Sequence, residues 1–311
     1  MAASELPPKK EIDVGADVSE YSEEIFNNLF KKEILYKANP KCWNSQPELN
    51  IYMRMIAISW LSEVATSFKL MPESLQSAIS MVDRFISLYI VGKDNLQLVI
   101  IAALFIASKM EEIFPPSLSS FVYVSADTYT AKQIRDMEQA IINGLEFKLR
   151  GPLPIDFLRR FSSVANFDYH RHNMSKYIIE LCQTDYQSIS LLPSQLAAGV
   201  VYFVKFITRD VEDGDIWPDD IVYYTHYYES QANMYAHLVQ QMLNRVVEYP
   251  KNLSLMRKYR TGGLEKIGKE RYKLPVLYEY KEYQALGQEI PFVLGLRKIE
   301  PPPEYPPSEW D

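Results

Sequence analysis

Cysteine is nearly absent. Cys42 and Cys182 are the only two in 311 residues, they stand far apart, and no CxxC pair occurs. That excludes a disulfide framework and fits a reducing compartment. A structural zinc site would have to draw its ligands from two cysteines and four histidines, so no metal centre is expected. Excess positive charge is missing too. Lys and Arg number 33 against 40 Asp and Glu, a formal charge of −7. Nucleic-acid binding rests on cations neutralising phosphates, so no nucleic-acid partner is expected, and an anionic membrane surface is disfavoured. An acidic balance does accommodate basic partners and basic peptides. Long apolar runs are also lacking. The longest, Leu96 to Ser108 with Gln97 inside it, is too short to span a bilayer. The opening MAASELPPKKEIDVG has no apolar signal core. The chain reads as soluble and intracellular, with no membrane partner. No Gly-rich phosphate loop, GxSxG or HExxH occurs. YHRHN spaces His170 and His172 two apart, off a common helical face, and reads as a polar helix start. No cofactor is called for, and the chain is not expected to be an enzyme.

What is present is helical periodicity. The chain is 47% hydrophobic, enough for a sizeable core, and its length suits two domains. Residues 1–18 are polar and uneven and are expected to be disordered. Residues 19–50 hold one amphipathic helix and a linker. Tyr21, Ile25 and Leu29 recur at helical spacing with Phe26 beside them, behind Ser19 as the N-cap. KANPKCWNSQPELN then breaks the pattern. Residues 51–150 form a first helical set. IYMRMIAISWLSEVATSFKL carries Met53, Ile56, Trp60, Leu61 and Val64 on one face, and the helix opened by Pro72 carries Leu75, Ile79, Val82, Phe85 and Ile86. NLQLVIIAALFIASKMEE is apolar almost all round, which marks a helix central to its domain. TAKQIRDMEQAIINGLEF is amphipathic through Ile134, Met137, Ile141 and Leu145, with Gly144 as a C-terminal signal. Pro152 and Pro154 mark a boundary. A second set over 151–250 is built on IDFLRRFSSVA, NMSKYIIELCQTDY, PSQLAAGVVYFVKFIT, PDDIVYYT and ANMYAHLVQQMLNRVVE. Residues 251–311 form a C-terminal extension that ends PPPEYPPSEWD. No segment alternates convincingly as a strand, so the fold class is all-α.

The end of the central helix raises a question. Cations suit a helix C-terminus and anions do not. Lys109 obeys that rule, and Glu111 and Glu112 break it. Two readings stand open: the acids are solvated, or a partner reads them. FPP is expected to end the helix.

These residues also resemble a known family. MRMIAISWL resembles the MRAILVDWL signature of cyclins. DRFIS, LQLVIIAALFIASKMEEIFPP and FVYVSADTYTAKQIRDME follow in cyclin order and spacing, and EYSEEIFNNLFKKE with QPELN resembles the N-terminal helix and linker of A- and B-type cyclins. The likeness is strong from Asp17 to Leu149 and collinear to Pro250. It implies two tandem five-helix cyclin folds with an N-terminal helix and a C-terminal extension. The positions that characterise the cyclin box are filled by Arg54, Asp83, Leu98, Lys109 and Glu138.

The resemblance implies roles. Arg54 and Asp83 would form a buried structural ion pair. Lys109 and Glu138 would meet and hydrogen-bond the backbone flanking the regulatory helix of a cyclin-dependent kinase; from spacing alone a solvated ion pair is the better reading. Ile106, Met110, Ile142, Phe147 and Leu149 would receive an apolar side chain of that helix, or be ordinary core. Tyr21 and Ile25 would touch the kinase, or pack on their own domain. Met53, Ile56, Trp60, Leu96 and Gln97, with Glu63 as the nearby acid, would dock substrates or inhibitors carrying Arg-x-Leu-type peptides. Ala57 for the usual Leu makes that groove shallower, and Ala126 removes a carboxylate. The implied function is a regulatory subunit that activates a Ser/Thr kinase in mitotic cell-cycle control, in nucleus and cytoplasm. A TFIIB-like scaffold, or a cyclin-like protein that activates no kinase, is the alternative. No destruction-box pattern precedes Arg54, so turnover is controlled differently or by sequence not present here. RYKL (Arg271 to Leu274) matches only a minimal RxxL, and PPEY (Pro302 to Tyr305) fits a WW-domain ligand.

Overall fold

Local sequence sets the helix ends. Among the residues described by the computed structural model, 21–209 and 215–248, there are eleven α-helices and no strand. α1 spans Ser22–Glu33, with Glu23 and Glu24 in its first turn and Lys31 and Lys32 in its last, both matched to the macrodipole. It follows Tyr21 without a side-chain cap, and the expected cap Ser19 lies outside the described residues. α2 spans Ile51–Ser67 and starts on Asn50, whose side chain accepts from the N–H groups of Tyr52 and Met53 at 3.0 and 2.9 Å. α3 (Pro72–Leu88) starts on proline, whose missing N–H is no loss there. α4 covers Lys93–Glu111. α5 (Leu118–Val124) is a seven-residue helix capped by Ser117. LSSFVYV is short and rich in strand-forming residues, so no helical period marks it in the sequence. α6 (Ala131–Gly144) opens with the reciprocal Thr130–Gln133 capping box.

The second set repeats the count: α7 (Pro154–Val164), α8 (Tyr169–Thr184), α9 (Pro193–Ile207), α10 (Asp219–Thr225) and α11 (Glu229–Glu248). Each set is built around one helix buried on all sides. In the first, α4 is buried at Leu96 and from Leu98 to Ser108 and packs on α2, α3, α5 and α6. In the second, α9 is buried from Ser194 to Val204 and packs on α7, α8 and α11. The two cores bury separate sets of side chains. Residues 251–311, including RYKL and PPEY, and the N-terminal residues 1–18 lie outside the described residues.

Two glycines are required by packing. A Cβ on Gly199 would sit 2.8 Å from the Tyr235 backbone carbonyl carbon, so α9 and α11 approach closely there. A Cβ on Gly144 would sit 2.7 Å from the Tyr89 ring. Gly144 ends α6, but the left-handed backbone falls just beyond it, on Glu146 (φ 51°) and Phe147 (φ 59°). Gly144 therefore serves close packing rather than the helix stop.

Polar groups join the sets. Arg54 is 0% exposed. It donates Nε and Nη2 to Asp83 at 2.9 and 2.8 Å, and Nη1 to the carbonyls of Gln183 and Thr184 at the end of α8, at 3.0 and 3.2 Å. Trp43 Nε1 donates to the same Asp83 at 2.9 Å. Burial alone would pull the Arg54 pKa down, but the Asp83 carboxylate more than reverses that and holds it above its ordinary value. The implied ion pair is thus present, and it reaches into the second set as well. Gln76 of α3 accepts from the Ile155 N–H of α7 at 3.0 Å.

Candidate partner-binding surface

Lys109 lies in the last turn of α4 and Glu138 in α6. Packing of α4 on α6 brings them into an ion pair, with the Lys109 side chain 40% exposed and the Glu138 side chain 14%. The Lys109 ammonium also lies 4.1 Å from the centre of the Phe105 ring. A surface pair of this kind, with Glu138 the more covered partner, contributes about 0–1 kcal/mol to folding. Apolar groups surround it. Met110 is 44% exposed and Phe147 is 74% exposed, while Ile142 and Leu149 are half-buried against the first core. Ile106, at 2% exposure, belongs to the core and can only floor this surface.

The segment carrying Phe147 and Leu149 is held from behind. Arg84 of α3 donates to the Lys148 and Leu149 carbonyls at 2.5 and 2.8 Å, with its guanidinium 5.0 Å from the Tyr36 ring centre. Burial pushes the Arg84 pKa down to about 10. The left-handed backbone at Glu146 and Phe147 is costly for residues with a Cβ, and here it leaves a large apolar side chain in solvent.

α1 contributes a further piece. Phe26, Leu29 and Phe30 pack on the second core, which leaves Tyr21 and Ile25 exposed. The helix buries its other face, against the set more distant in sequence.

The acids at the end of α4 are not simply solvated. Glu112 accepts from the Met71 N–H at 2.7 Å and from the Ser74 hydroxyl, at the start of α3. Glu111 accepts from Arg150 Nε at 2.9 Å, and the same guanidinium is bound to Asp156 at 2.8 Å. Both carboxylates tie the fold together. Glu112 is already extended, so α4 stops at Glu111, before the prolines act. Sequence reasoning also passed over Ile113 and Phe114, 88% and 90% exposed just past Met110. Their signal was an apolar pair stranded between a helix end and Pro115-Pro116.

The second expected surface lies on α2. Ile56 is 55% exposed, Met53 and Trp60 are half-buried, and Glu63 is exposed one turn past Trp60. At the start of α4, Gln97 is half-buried and Leu96 is core at 8% exposure. Ala57 is also buried, facing the core. Ala126 and Asp127 form a left-handed turn, φ 50° and 58°. Among the described residues no cluster of His, Cys, Asp or Glu could hold a metal ion, and no helix is long and apolar enough to cross a membrane.

Residues 24–150 match the family described as cyclin, N-terminal domain, and residues 152–269 match cyclin, C-terminal domain. Together these matches take up most of the chain. The chain belongs to the cyclin family. This cyclin is 36% identical over 253 residues to the G2/mitotic-specific cyclin-B2 of Mesocricetus auratus, covering 80% of this chain and 62% of that one. It is 39% identical over 214 residues to the G2/mitotic-specific cyclin-3 of Saccharomyces cerevisiae, covering 69% and 49%. The cyclin thus spans less than two thirds of the length of these relatives. Those names put it in the A/B-type group. Its fold is similar to the X-ray structure of a viral cyclin from herpesvirus saimiri, with a TM-score of 0.63 and 20% identity over 71% of this chain and 97% of that one.

Proposed function

We propose that this cyclin is the regulatory subunit of a cyclin-dependent Ser/Thr kinase in mitotic control of the cell cycle. The observation that carries the reading is the Lys109–Glu138 pair, standing at the surface beside exposed Met110 and Phe147. Charged groups that stabilise the fold little, ringed by exposed apolar side chains, suit a partner helix that brings both backbone polar groups and an apolar side chain. Tyr21 and Ile25 extend the surface from α1, and Ile113 and Phe114 from the end of α4. The catalytic groups belong to the kinase. The cyclin acts by binding the active arrangement of the kinase more tightly than the inactive one, with its regulatory helix placed and its activation loop ordered. Substrates and inhibitors with Arg-x-Leu-type peptides dock on Met53, Ile56 and Trp60, with Glu63 receiving the basic residue.

The test is the double variant Lys109→Ala with Glu138→Ala. Kinase binding should be lost while circular dichroism shows unchanged helix content. Undiminished binding would remove these residues from the interface. If the unaltered chain binds no cyclin-dependent kinase at all, the reading itself fails.

A further inference from the structure

α1 precedes the first helical set in sequence, yet it is clamped to the second. Arg160 of α7 donates Nη1 to the Ser22 carbonyl at 3.2 Å and lays its guanidinium over the Phe26 ring at 4.2 Å. The Phe30 ring lies 5.0 Å from Phe157 and 4.8 Å from His226, centre to centre. The helix then ends on Glu33, its one buried residue, 3% exposed. A carboxyl buried that deeply is costly without partners. Ser194, at the start of α9 and 161 residues on, supplies them: its N–H donates to Oε2 at 3.0 Å and its hydroxyl to Oε1 at 2.7 Å. The Ser194 oxygen in turn lies 2.6 Å from the Tyr227 hydroxyl. Glu33 also lines a cavity of about 90 Å³ between the two sets, shared with Tyr36, Lys37, Arg54, Asp83 and Gln183.

We propose that Glu33 is the positioning residue of the N-terminal helix, a latch onto Ser194 of α9 that holds Tyr21 and Ile25 in place before the kinase arrives. The final step, delivery of those side chains to the kinase, rests on the kinase reading above. The latch itself does not.

The latch is sensitive to pH. Burial pushes the Glu33 carboxyl from its ordinary 4.5 up to about 7, with Ser194 and Lys37 pulling it back. The other ionisable groups facing it are Tyr227 and Tyr36, and across the cavity the Arg54–Asp83 pair, which satisfy each other. A carboxyl raised on docking favours the docked state fully below about 4.5 and progressively less as pH rises through about 7. Between pH 6 and 8 the docking equilibrium should fall about tenfold. His226, stacked on Phe30 and lowered by burial, titrates nearby, so the contribution of Glu33 has to be isolated by substitution.

The experiment is hydrogen exchange on the full chain without kinase, read as protection factors of the α1 amides at pH 6 and pH 8. Glu33→Gln keeps an acceptor for the Ser194 N–H and cannot ionise, so α1 should stay protected and lose the part of the slope due to Glu33. Glu33→Ala leaves both Ser194 donors without their acceptor, so α1 protection should fall at least tenfold at pH 6 while α4 and α9 keep theirs. Unchanged α1 protection in Glu33→Ala, or the full slope retained in Glu33→Gln, overturns the latch. Affinity for a purified cyclin-dependent kinase should then fall several-fold in Glu33→Ala and return in Glu33→Gln. Equal affinity in all three forms overturns the positioning role. Absence of kinase binding by the unaltered chain defeats the kinase reading alone, because the exchange result is obtained on the cyclin by itself.

Discussion

Arg54→Ala should be among the most damaging single substitutions in this chain. The guanidinium is wholly buried, makes two bonds to Asp83 and two to carbonyls at the end of α8, and shares Asp83 with the Trp43 indole. The substitution strands the Asp83 charge in the interior, and removing one partner of a buried pair costs about 3–5 kcal/mol. Total stabilities are about 5–15 kcal/mol, so this is a large fraction. At roughly 2–4 °C per kcal/mol the melting temperature should fall by roughly 6–20 °C. Differential scanning calorimetry checks it. Arg54→Met with Asp83→Leu should recover part of the loss, because no charge is then stranded. Recovery should be incomplete, since the Trp43 N–H loses its acceptor and the Gln183 and Thr184 carbonyls lose their donor. A single variant within about 1 kcal/mol of the unaltered chain would refute the account.

Trp60→Ala should weaken binding of a fluorescent Arg-x-Leu peptide and spare kinase activation; equal loss of both would make Trp60 structural. Gly199→Ala should destabilise by about 1–3 kcal/mol, because its Cβ meets the Tyr235 backbone and cannot be accommodated by a rotamer change. A urea midpoint unchanged from the parent would contradict that. Glu112→Ala should cost about 1–3 kcal/mol in thermal unfolding, because the start of α3 loses its acceptor. If kinase affinity falls while stability does not, Glu112 faces the partner after all.

The helices were legible where their periodicity was long. α4 and α9 show on the page as stretches apolar all round. α5 was not legible, because seven residues of mixed preference give no period to count. Lys109 and Glu138 carried no signal of their own; only their place in an ordered set of cyclin motifs made them a pair. The intramolecular bonds of Glu111 and Glu112 were not legible because their partners are Arg150, Met71 and Ser74, about forty positions away in either direction. Gly144 was read as a helix stop because composition cannot distinguish a glycine needed for φ from one needed for space.

The sequence by itself determined the all-α class, the central helices and, through ordered motifs, the family. Those features rest on local periodicity and spacing, which the order of residues carries directly. Only the tertiary structure decided which face of α1 is buried and that it docks on the second set. The same holds for the acids at the end of α4, which bind the fold, and for Arg54, which reaches the carbonyls of α8. Each depends on where a distant backbone group lands once two helices have packed, and a buried charge is tolerable only where that group arrives.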